Sequence, residues 1–121
     1  QLSTQKSEPN IEKLKQKLES IFFDLSKQEL KLFLTIYQLE DEDIPTTIKA
    51  LSLKIQLSES CVRCYLTSLF QKHAPITKTM GGIKNIKLFL INKDFRALNM
   101  KNRLIELYYG SDPHQNSLFR F

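Results

Sequence analysis

Glycine is scarce in this chain, and its scarcity excludes a good deal. With three glycines, of which Gly81 and Gly82 are adjacent, there is no Walker glycine–lysine loop and no dinucleotide-binding fingerprint. With two histidines, His73 and His114, there is no paired metal-binding motif. No nucleophile elbow is present either. These absences point to a protein that is not an enzyme and carries no cofactor. No apolar run approaches the ~18–20 residues needed to span a membrane, and Ile86–Ile91 is far too short. The first residues are polar, not a basic leader followed by an apolar stretch, so no secretory signal is expected. Gln1 in place of Met fits a trimmed chain or a fragment of a larger one.

Cysteine is nearly absent too. Cys61 and Cys64 sit three apart in a helical stretch, a spacing that invites a metal or redox reading. A structural zinc site takes roughly four protein ligands, and neither histidine stands at a convincing distance from the pair. A C-x-x-C redox site is conceivable, because a thiol at a helix N-terminus can be activated. The plainer reading is two ordinary helix residues, with no metal. Two free thiols in a small chain fit a reducing compartment, cytoplasm or nucleus.

What is present is charge, unevenly placed. Residues 1–60 carry 8 Lys and Arg against 10 Asp and Glu, a balance of −2. Residues 61–121 carry 10 against 3, a balance of +7, and the whole chain stands at +5. At 121 residues and 41% hydrophobic, the chain suits one modest domain, and it is too short for two independent cores.

Hydrophobic periodicity organises that domain. Residues 1–9 read as a flexible lead-in. Ile11, Leu14, Leu18, Ile21 and Phe22 then recur at helical spacing. Ser26 with Glu29 forms a capping box for a second helix over about residues 27–39, apolar enough to be central. The acidic run Glu40–Asp43 reads as a solvated loop, since carboxylates at a helix C-terminus oppose its dipole. Ile44-Pro45-Thr46 fits a short extended segment. Thr47 caps a third helix to about Ile55, Gln56-Leu57 makes the turn, and Ser58 caps a fourth over about residues 59–72. His73 is an exposed residue at that helix's end. Residues 76–80 and 83–92 read as antiparallel strands around Gly81-Gly82, where positive φ is cheap. A last helix is expected over residues 94–109, and residues 110–121 form a C-terminal tail.

This order, with Leu57-Ser58-Glu59-Ser60-Cys61-Val62-Arg63-Cys64-Tyr65-Leu66 entering the fourth helix, resembles winged helix-turn-helix proteins. MarR-like regulators have the nearest layout. The resemblance covers about residues 26–92 and implies an α/β winged-helix domain over 10–109, with additional N- and C-terminal helices. It implies that Ser58, Ser60, Cys61, Arg63, Cys64 and Thr67 lie towards DNA, while Val62, Leu66 and Leu69 hold the helix down. A major groove accepts one α-helix, and Arg63 is the only cation in the first half of this one. Lys78, Lys84 and Lys87 on the hairpin suit phosphate contact, Lys87 depending on strand register. Glu59 and the absence of further Lys or Arg weaken the helix as a DNA reader. Duplex DNA is therefore the expected partner, in transcription regulation or DNA maintenance. A heterologous protein within a replication, telomere or transcription assembly is the alternative. Stripes on the terminal helices mark Leu14, Leu18, Leu104 and Tyr108 as candidates for partner burial, in a homodimer or a mixed complex.

Overall fold

The structure is a computed structural model that describes residues 2–81 and 86–110, and the side chains of 11–81 and 86–110. Among the described residues it is mixed α/β, with six helices and one two-stranded antiparallel hairpin. In chain order these are α1 (Leu2–Phe23), α2 (Lys27–Asp41), α3 (Ile48–Ile55), α4 (Glu59–Gln71), β1 (Ile76–Gly81), β2 (Ile86–Ile91), α5 (Lys93–Ala97) and α6 (Lys101–Tyr109). No helix among them is long and apolar enough to cross a membrane.

The core is built around α2. Its capping box forms: the Ser26 hydroxyl accepts the Glu29 N–H at 3.2 Å, and the Glu29 carboxylate accepts the Ser26 N–H at 2.8 Å. Between Leu30 and Leu39 the helix buries nearly every side chain, as a central helix must. It packs against α3, α4, α6 and β2. Phe22 of α1, Phe33 of α2 and Phe95 of α5 meet at centroid separations of 5.0–5.5 Å. Tilted and edge-on rings at such distances add to simple burial.

Four expectations change. α1 begins at Leu2, so residues 2–9 are helical and not a lead-in. Once Leu18 and Phe22 anchor its C-terminal half, each further turn extends an existing helix and avoids the cost of nucleation. Ile44-Pro45-Thr46 forms no strand, although Thr46 is buried and pairs with β2 in both directions. Phe89 N–H donates to the Thr46 carbonyl at 3.1 Å, and the Thr46 hydroxyl donates to the Phe89 carbonyl.

The acidic run is only partly a solvated loop. Glu40 and Asp41 complete α2 and bind the Arg96 guanidinium at 3.0 and 2.9 Å, with Lys101 also on Asp41 at 2.9 Å. Cations brought by the chain's far end offset the unfavourable dipole. Lastly, the single C-terminal helix is broken. Asn99, at φ 55°, separates α5 from α6. The break lets Phe95, Met100, Leu104 and Tyr108 all reach the core. One straight helix of fixed 3.6-residue period would not aim all four inward.

Candidate nucleic-acid interface

The site begins with the turn between α3 and α4. Gln56 takes a left-handed conformation (φ 63°) and the Ser52 hydroxyl donates to the Leu57 carbonyl at 2.6 Å. Ser58 then caps α4, its hydroxyl accepting the Cys61 N–H at 3.1 Å. Val62, Leu66 and Leu69 recur at four and three residues and bury one stripe. Glu59, Ser60, Cys61, Arg63, Cys64 and Thr67 are left facing solvent.

The hairpin register sets the other wall. Ile76 pairs with Ile91, Lys78 with Phe89, and Met80 with Lys87. Directly opposed residues share a face of a sheet. One face of the hairpin therefore runs from apolar at its base (Ile76, Ile91, Phe89) to cationic further out (Lys78, Lys87), with Met80 exposed. This register resolves the side on which Lys87 lies. Gly81 is paired within β1 and not a positive-φ turn residue. A Cβ there would stand 2.7 Å from a Leu88 methyl, so glycine serves close approach. Lys84, Gly82 and the turn lie outside the described residues.

Helix and hairpin converge on one groove of about 200 Å³, where Arg63 and Thr67 of α4 face Lys78 of β1 and Lys87 of β2. Its floor is apolar, with Ile48, Leu66, Phe70 and Phe89. Helical spacing places Phe70 on the buried stripe of α4. It is instead exposed (37%) in the groove, with its ring 6.3 Å from that of Phe89. Sequence periodicity holds no signal for this placement, because it depends on where the hairpin lands. Ser58 and Ser60 stand at the helix N-terminus outside the groove lining, and the Ser58 hydroxyl is committed to its cap.

Two ion pairs bear on the site. Arg63 reaches Glu59 at 3.4 Å, both exposed, a pair of the kind worth about 0.3–0.5 kcal/mol and readily exchanged for another anion. Glu29 is buried and holds the far end of α4. It accepts from Lys72 at 2.8 Å and from the Ser68 hydroxyl. Burial alone would raise its pKa. The hydrogen bonds from Lys72, Ser68 and the Ser26 N–H, with the Lys72 charge, outweigh that and hold it below the ordinary carboxylate value. Glu29 thus fixes where α4 lies relative to α2.

Part of the positive charge in the second half is spent elsewhere. Lys72, Arg96, Lys101 and Arg103 each pair with a carboxylate from the first half of the chain. Lys78 and Lys87 make no ion pair among the described residues and are exposed. Part of the charge asymmetry therefore binds one half of the fold to the other, and part, Arg63, Lys78 and Lys87, lines the groove.

The four candidates for partner burial divide. Leu18, Leu104 and Tyr108 lie in the chain's own core, at 8%, 1% and 6% exposure, so they hold the terminal helices on. Leu14 is exposed and lines a second apolar groove of about 750 Å³ with Ile21 and Leu98, which shares Phe70 with the first. His73, at φ 65°, lies just past the end of α4. Among the described residues no group of three or more His, Cys, Asp or Glu is arranged to hold a metal ion. No protein-family model matches this chain, and neither a curated protein nor a solved structure matches it significantly.

Proposed function

We propose that this chain is a non-enzymatic, duplex DNA-binding winged helix-turn-helix protein, acting in regulation or DNA maintenance within a reducing compartment. One observation carries the reading: the solvent face of α4 and the hairpin lysines converge on one groove. The order from α2 through β2 suits the layout, with Thr46 standing in for a first strand beside β2. The first turns of α4 enter the major groove, with Arg63 at base edges or phosphate and Thr67 beside it. Lys78 and Lys87 contact the phosphate backbone and set orientation. Ser60 and the N-terminus of α4 offer short hydrogen bonds to a phosphate.

Fluorescence anisotropy with random duplex and single-stranded DNA, each at two salt concentrations, tests this directly. Duplex binding that weakens steeply with salt is the expected result, since lysine contacts release counterions. Absence of binding to either nucleic acid at low salt would defeat the reading.

A second reading, a protein-interaction winged helix, draws on a different observation. The apolar groove containing Leu14, Ile21, Phe70 and Leu98 is open, and α4 carries one arginine in its first half, already paired with Glu59. On that reading Leu14→Ser disrupts a native complex while Arg63→Glu leaves it intact. Co-purification followed by mass measurement separates the two. A homodimer through the terminal helices has only Leu14 left of its four proposed contacts, and light scattering across a dilution series decides it.

A further inference from the structure

Cys61 and Cys64 are both free and exposed, one turn apart on the outer face of α4. With no third ligand in reach among the described residues, the pair suits oxidation better than metal binding. We propose that this dithiol is a redox modification site, closed by a low-molecular-weight disulfide into a Cys61–Cys64 bond that reshapes the first turn of α4. Duplex affinity falls as a consequence, a second step that rests on the DNA-binding reading above.

The chemistry is thiol–disulfide exchange. One protein thiolate attacks a sulfur of the small disulfide, forming a mixed disulfide and expelling one small thiol. The second protein thiolate attacks the protein sulfur of that mixed disulfide and expels the other. Two protein S–H groups become one S–S bond, two electrons pass to the oxidant, and two small thiols leave.

The coupling comes from helix geometry. Residues three apart on an α-helix have Cβ atoms about 5–6 Å apart, whereas a disulfide wants about 3.5–4.5 Å. Closure therefore requires the backbone to give by roughly an ångström or more. It gives most readily in the first turn, whose N–H groups have no acceptor within the helix. Cys61 is the third residue of α4, and its N–H is held by the Ser58 hydroxyl at 3.1 Å. Cys64 lies further into the hydrogen-bonded ladder. Cys61 is thus the end that moves, and its movement releases the Ser58 cap. Ser58 and Ser60 ride on that turn and Arg63 follows it directly, so the placement of this end of the helix toward a duplex changes with it.

The test uses the full chain, reduced and then equilibrated with oxidised glutathione, and read in three ways. Intact mass is expected to show loss of two hydrogens with no glutathione retained. Amide signals are expected to move from about Leu57 to Cys64 and little elsewhere. Affinity for a random duplex is expected to drop roughly tenfold, and reduction restores it. The Cys64→Ser variant, whatever its own affinity, should stop at the mixed disulfide and keep its glutathione. A wild-type chain that retains glutathione without closing, or closes without moving the first-turn amides, overturns the site. A closed form that binds duplex within about twofold of the reduced form overturns the coupling. A reduced chain that binds no duplex strikes the DNA-binding reading instead, and mass and amide signals still judge the dithiol.

Discussion

Two cationic regions of this molecule look alike in the sequence and behave differently in the fold. Arg96 and Lys101 stand against the end of α2, where Glu40, Asp41 and the Tyr37 ring receive them. Arg63, Lys78 and Lys87 stand around an open groove where, among the described residues, Glu59 pairs with Arg63 and no carboxylate pairs with either lysine. The first region is internal adhesive, fastening α5 and α6 to the central helix. The second presents charge to solvent, where it is available to another molecule. Positive charge in a sequence becomes a binding signal only after the carboxylates that consume it have been found.

The largest expected effect lies in the first region. The half-buried Arg96 donates to Glu40, Asp41 and the Tyr37 carbonyl, and stacks 4.1 Å from the Tyr37 ring centroid. Arg96→Ala should cost about 2–3 kcal/mol of stability, measured by urea unfolding, because it strips the cation from the partly buried Glu40 and removes the guanidinium's contacts with the Tyr37 carbonyl and ring. A loss under about half a kcal/mol would show that this cluster is no more than surface decoration.

Glu29→Gln comes next, at about 1.5–2 kcal/mol near neutral pH, since the amide cannot replace the charge-assisted bond to Lys72. The sign with pH follows from its lowered pKa. The folded state prefers the carboxylate, so the stabilisation is present above the ordinary value of 4.5 and fades as pH falls through the lower folded value. Wild-type and variant unfolding curves should therefore converge in acid. Asp41, also lowered, shifts stability in the same direction. Burial of Asp41 opposes its ionisation, and the hydrogen bonds and charges of Lys101 and Arg96 outweigh it.

The second region should respond in the opposite way. Changing Lys78 and Lys87 together to Glu should leave stability within about 0.5 kcal/mol, while duplex affinity at low salt falls at least about tenfold. The slope of log affinity against log salt should flatten by roughly 0.9 for each phosphate that the protein no longer neutralises. Unchanged affinity with unchanged folding would move the interface off the hairpin and towards the protein-interaction reading. The smallest effect is expected at Arg103, exposed and paired with Glu19 at 3.0 Å. Arg103→Ala should leave both the thermal midpoint and duplex binding where they were, as solvent already screens that pair.

Local signals are legible without the fold. The Ser26–Glu29 box, the Thr47 and Ser58 caps and the buried stripe of α4 follow from side chains that reach three residues along their own helix, a distance any sequence displays. The hairpin strands are legible for the same reason, their pairing being local. Arg63, Thr67, Lys78 and Lys87 are readable as candidates one at a time. Only the tertiary structure decided that they share a groove, because that depends on register, on Thr46 against Phe89, and on Glu29 holding α4. It likewise decided that Leu18, Leu104 and Tyr108 are core, and that the acidic run at the end of α2 meets Arg96 more than fifty residues away. Periodicity reports that a face is apolar, and composition reports that a segment is charged. Which surface covers that face, and which countercharge meets that segment, is set by contacts distant in the chain.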